Sequence, residues 1–251
     1  MNALSALLAL AALAPLSVAQ EQGPSPERIE AASKALEAAF EEGDAAARAK
    51  AIRESVDAVD KRVIGLVAKG LNEKEPAPVV SAAVDTLGRM RHPESAKELV
   101  GYYKHQKKKL NKDHEKELVE LLQALGRQGD PAGVEVLTDS VSASVGYPVI
   151  QARLMALAMI RDVKSVEAVF SLITLVGKNT LDRYMEDVRL SLMALTGEDR
   201  GQDSLQWEAW WRENKKGFKV SSEPKALPDA ERARWNSYWG IEEKKKEGAG
   251  G

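Results

Sequence analysis

Six lysines and two histidines stand between Lys104 and Lys116, in KHQKKKLNKDHEK, against only two acids. Clustered lysines focus positive potential, so Lys104, Lys107, Lys108 and Lys109 could hold an anion or an acidic polymer even on a chain of net charge −2. The plainer expectation is a solvated turn between helices, its lysines near a helix C-terminus where the dipole favours cations. His105 and His114 lack the i, i+4 spacing of a helical metal pair, and no third ligand accompanies them. Neither a metal nor any other cofactor is expected. The balanced charge also argues against general nucleic-acid binding, which needs a basic face for counterion release.

The aromatic residues form two groups of one spacing. TGEDRGQDSLQWEAWWREN, residues 196 to 214, sets five acids around three of the five tryptophans. Asp203 with Gln206 three residues on is a capping-box arrangement, so a helix should start at about Ser204. Trp207, Trp210 and Trp211 then fall at i, i+3 and i+4 on one side of it. We expect a structural cap there, since each buried aromatic removes about 150 to 250 Å² from water. Asp199 and Asp203 lack the alternating oxygen ligands and the glycine of a calcium loop. Downstream, ERARWNSYWGIEEKKK repeats the spacing with Trp235, Tyr238 and Trp239, on a helix expected over 229–243. Residues 217–228, GFKVSSEPKALP, read as an extended linker between the two. A free last helix would dock a partner or lie on a membrane surface; one folded back would be a second cap. Folding back is expected, because an uncovered aromatic patch is sticky. Trp235, Tyr238 and Trp239 are nevertheless candidate partner contacts.

No signature of catalysis stands out. The chain has no GxSxG elbow, no HExxH, no phosphate-cradling glycine loop and no cysteine. Carboxylates brought together across a groove, such as Glu115 or Asp187 with a neighbour, would leave no local signal, so an enzyme using such acids is the runner-up. Zero cysteines also rules out disulfides, leaving packing to stabilise the fold.

At the N-terminus, MNALSALLALAALAPLSVAQ has an apolar run from Ala3 to Leu16 and small residues at Ser17, Val18 and Ala19. That is the pattern of a secretory signal cleaved after Ala19, which predicts a secreted or periplasmic protein with no stable membrane span after cleavage. The whole chain is 29% charged with 5% aromatics, a composition that suits many helices sharing a modest core. Ser25, Pro26 and Glu27 open a helix that should run to about Glu42 and stop at Gly43, forming an N-terminal cap over 20–43. A helix pair should follow at roughly 45–57 and 60–71.

Four segments then line up: DTLGRMRHPES from 85, QALGRQGDPAG from 123, MALAMIRDVKS from 155 and MALTGEDRGQD from 193. Leu87, Leu125, Leu157 and Leu195 share one place, at spacings of 38, 32 and 38 residues. His92-Pro93, Asp130-Pro131 and Asp162 open the next helix each time, and apolar stripes such as Leu118, Leu121, Leu122 and Leu125 flank the turns. Gly146, Tyr147 and Pro148 should be only a turn between units. Paired helices, a Leu-Gly before the turn and an Asp-Pro after it resemble HEAT repeats over about residues 45 to 214. Ala158 and Val163 depart from the pattern in the third unit. The resemblance implies an all-α, right-handed solenoid of about five antiparallel helix pairs over 44–216 with helical caps. It also implies a curved face that holds a protein or peptide partner, lined by the second helix of each pair. Lys97, Tyr102, Tyr103 and Lys104 are the candidates there, and the tail 244–251 is expected to be disordered.

Overall fold

The computed structural model describes residues 23–141, 146–176 and 182–242. The expected signal, its cleavage point and the tail 244–251 lie outside the described residues. Among these there are twelve α-helices and no strand. They are α1 (Pro26–Glu42), α2 (Ala45–Glu54), α3 (Lys61–Ala68), α4 (Ala77–Arg89), α5 (Pro93–Asp113) and α6 (Glu115–Gln128). Then follow α7 (Gly133–Thr138), α8 (Tyr147–Met159), α9 (Val163–Val176), α10 (Met185–Thr196), α11 (Ser204–Asn214) and α12 (Asp229–Trp239).

Short-range chemistry sets where these helices start. Ser25 Oγ accepts from Arg28 N, and Asp44 Oδ1 accepts from Ala47 N at 2.8 Å. Five further bonds share one form, in which a side chain accepts from the amide two residues on; four sit at a helix start and that of Asp130 lies in the turn ahead of α7. Asp60 accepts from Arg62, His92 through Nδ1 from Glu94, Asp130 from Ala132, Asp162 from Lys164 and Asp203 from Leu205, at 2.7 to 3.0 Å. At a helix start such a bond satisfies an amide that the helix itself leaves without a partner, and each is worth roughly 1 kcal/mol. The five bonds recur at the turn after each of α2, α4, α6, α8 and α10.

The same five helices run side by side. α4 packs against α2 and α6, α6 against α8, and α8 against α10, while α3, α5, α7 and α9 contact one another on the other side. Leu87, Leu125, Leu157 and Leu195 are all buried in the shared core. The adjoining glycines have a spatial reason. A Cβ on Gly88 would sit 2.8 Å from Ala124 Cα of α6, and one on Gly126 would sit 2.7 Å from Ala156 Cα of α8. Leu-Gly is therefore the point at which one helix backbone meets the next. Gln128 reinforces the joint: its amide donates to Leu87 O and Met90 O, and its carbonyl accepts from His92 N.

Three expectations need correction. The lysine-rich segment is not a turn: α5 is 21 residues long and carries Lys104 to Lys109 on its helical surface, with the break only at His114. Nor is Gly146-Tyr147-Pro148 only a turn, because α8 begins at Tyr147 with proline in its first turn and Gly146 as N-cap. The last helix ends at Trp239, short of 243, because Gly240 adopts the left-handed conformation that closes a helix, φ 64°.

Candidate functional site

The three-tryptophan helix goes into the core. Trp207 is wholly buried and its indole N–H donates to Gly201 O at 2.8 Å; Trp210 is 9% exposed. Trp211 is half-buried and stacks on Phe170 of α9, ring centroids 5.7 Å apart, while Phe218 meets both Trp210 and Trp211 edge-on. Asp203 supplies the cap. These groups are packing material, with little surface to offer a ligand.

The candidates on α5 are divided by burial and pairing. Tyr103 is 1% exposed, so as a partner contact it is withdrawn: its ring belongs to the core. Lys104 pairs with Glu135 and Lys107 with Asp139, both sideways onto the segment that carries α7. Lys97 pairs with Glu94 on its own helix. Lys108 and Lys109 are exposed. Tyr102 and Lys109 line a cleft between α4, α5 and α6 with Ser81, His114, Glu117 and Glu120, and it encloses only about 140 Å³. A drug-sized ligand needs about 300 Å³ or more. Three of its four acids are engaged: Glu117 with His114 at 3.2 Å, Glu120 with the Ser81 hydroxyl at 2.9 Å, and Glu75 with Arg48 at 3.0 Å. Among the described residues no group of three or more potential ligands could hold a metal.

The most elaborate polar arrangement lies where α12 folds back over α6 and α10. Asp187, in the first turn of α10, is 1% exposed and fully engaged. Its carboxylate accepts from the Tyr147 hydroxyl at 2.7 Å, from Gln151 Nε2 at 3.2 Å and from Arg234 at 2.8 Å. Arg234 also pairs with Glu186. Burial works against the Arg234 charge, but the two carboxylates outweigh it and raise its pKa, and Arg234 in turn lowers that of Glu186. A second pair runs in the reverse sense, with Arg189 of α10 donating to Glu231 of α12 at 2.7 Å. Arg189 also grips Asp199 and holds that carboxyl down to about 2.

At the far end, Gln123 of α6 donates to the Tyr238 hydroxyl at 3.1 Å. The ring of Trp239 lies over Gly126, 3.2 Å from where a Cβ would be. Burial pushes the hydroxyls of Tyr147 and Tyr238 up to about 12. The connecting chain is tethered by Arg161, whose guanidinium donates to Ala194 O, Ser221 O and Glu223 O.

Trp235, Tyr238 and Trp239 are therefore brought together on one face of the bundle, half-buried against the chain's own helices. Asp187 lies beside Arg234, Tyr147 and Gln151, and not beside a second acid poised for acid–base work. Tyr147, Gln151, Arg189 and Arg234 are the site residues that sequence reasoning missed. The available signal was weak: Arg234 and Glu231 lie i, i+3 on the last helix, opposite in sign to Glu186, Asp187 and Arg189. No protein-family model matches this chain, and no curated protein matches it either.

Proposed function

We propose that the protein is an exported scaffold, a right-handed HEAT-like solenoid of five helix pairs, that holds a protein or peptide segment and carries out no chemistry of its own. The pairs are α2–α3, α4–α5, α6–α7, α8–α9 and α10–α11, with α1 and α12 as added helices. One observation carries the binding part, and it favours the first helices of the pairs over the second helices that the resemblance implies: the face of α6 and α10 already holds a helix, α12, through reciprocal ion pairs and aromatic contacts. A surface that accepts a helix of its own chain has the shape and charge to accept a helical segment. The five recurrent side-chain-to-amide bonds at the turns and the Leu-Gly contacts support the repeat reading. The engaged acids of the small α4–α5–α6 cleft favour binding over hydrolysis.

The face continues past α12 onto α2 and α4, where Arg53, Ser81, Asp85, Glu120 and Arg127 line an open groove. A photo-activated cross-linker placed at Arg53 in the full mature chain should capture a partner from the exported fraction, while one at Lys164 on α9 should not. Capture only from Lys164, or from neither position, would overturn the reading.

A further inference from the structure

Resting on that scaffold reading, we propose that α12 is a built-in occupant of the recognition face. The partner which displaces it is a helix of the same chemistry: an acid, an arginine three residues on, then a tyrosine and a tryptophan seven and eight residues on from the acid. In this chain those places are Glu231, Arg234, Tyr238 and Trp239.

Three observations carry this. First, α12 is a cover and not part of the core: none of its residues is buried, whereas α11 buries Trp207 and Trp210. Its polar hold includes side-chain contacts that water can replace, among them Arg234 to Asp187 and Glu186, Glu231 to Arg189, and Tyr238 to Gln123, beside the half-buried Trp239 ring over Gly126. Secondly, the surface beneath is formed without it. Tyr147 and Gln151 fix the Asp187 carboxylate from α8, and Asp199 fixes Arg189 from the segment before α11. A released face keeps an oriented acid and an oriented base ready for the next helix, which lowers the ordering cost of binding. Thirdly, Arg161 grips the linker at Ser221 and Glu223, so only the few residues up to Pro228 need move when α12 leaves. The released helix stays close at high effective concentration, which makes it a competitor that an outside helix must outbind.

The test uses the full mature chain, residues 20–251, as wild type and as Arg234→Glu, which sets a carboxylate against Asp187 and Glu186. Glu231→Arg, set against Arg189, is the second variant in case the first fails to fold. The probe is a labelled synthetic peptide of residues 226–242, read by fluorescence anisotropy, with hydrogen exchange over 229–239 and light scattering alongside. Both variants should lose amide protection in α12, remain monomeric, and bind the peptide at least tenfold more tightly than wild type. A peptide whose own Arg234 is replaced by glutamate should bind the wild-type chain and Glu231→Arg at least tenfold more weakly than the parent peptide does. Protection left unchanged in both variants overturns the proposal, as does lost protection with no gain in peptide affinity. Dimers formed by exchange of α12 would make the occupant a second copy and overturn the outside partner. Cross-linking from Arg53 separates the two readings. Equal capture by wild type and Arg234→Glu keeps the scaffold and overturns the built-in occupant. Tight peptide binding with no capture keeps the occupant and overturns the scaffold.

Discussion

Helices α11 and α12 carry three aromatic residues at the same i, i+3, i+4 spacing, and the molecule uses them in opposite ways. In α11 the rings face Phe170 and Phe218, Trp207 and Trp210 are buried, and the cap at Asp203 fixes the entry. In α12 the rings are half-buried, and the helix is registered by charges that reach Asp187, Glu186 and Arg189. The lesson is that aromatic spacing selects a face of a helix but does not say what holds it. That depends on whether the facing surface is apolar or carries charged groups of its own.

The sharpest way to break the contrast is to empty each helix. Trp207→Ala should cost about 3 to 5 kcal/mol in chemical denaturation, the usual range for a buried aromatic, and Trp210→Ala should fall in the same range. A loss under about 1 kcal/mol for Trp207→Ala would mean that α11 is as peripheral as α12. Next in size is Gly126→Ala, whose Cβ would meet the α8 backbone at 2.7 Å and the Trp239 ring at 3.2 Å. We expect a loss of about 1 to 3 kcal/mol, typical of overpacking, together with faster exchange in α12. A variant as stable as wild type would show that the α6–α8 approach has slack. Trp239→Ala should change global stability by less than about 1 kcal/mol, while the amides of 229–239 lose protection. An equally large global loss would place α12 in the cooperative core.

The smallest effect is one of pH. Glu186 has its pKa lowered by Arg234, so its share of the hold is present above the ordinary carboxylate value and is lost as pH falls through the lowered one. Tyr238 is shifted the other way by burial: its share is complete below about 10 and is lost as pH rises toward about 12. Hydrogen exchange in α12 should therefore quicken at both ends of the pH range while α11 stays protected. Equal loss in the two helices would mean general unfolding.

What the sequence discloses follows from distance along the chain. The side-chain-to-amide bonds at Asp130, Asp162 and Asp203, the leucine before each turn and the tryptophan face of α11 all depend on neighbours within a turn or two, where residue type and spacing carry the physics. Asp187 meets Arg234 and Tyr147 from 47 and 40 positions away. No periodicity marks such a meeting, since a charge near a helix end is also what solvent contact would favour. Tyr147 looked like turn chemistry because glycine and proline flank it. Tyr103 is a groove candidate only because the resemblance gives the second helix of each pair to the partner, whereas its register on α5 turns it inward.

The course of α12 has one more consequence, and it is mechanical. Its first half is fastened to α10 and its last turn to α6, two helices that do not lie next to each other but on either side of α8. A rod pinned at both ends across two successive joints acts as a strut: it fixes the angle between α6, α8 and α10 and resists bending there. Freeing it would let α6 and α10 rock about α8, while Asp187 and Arg189 keep the orientation that Tyr147, Gln151 and Asp199 give them.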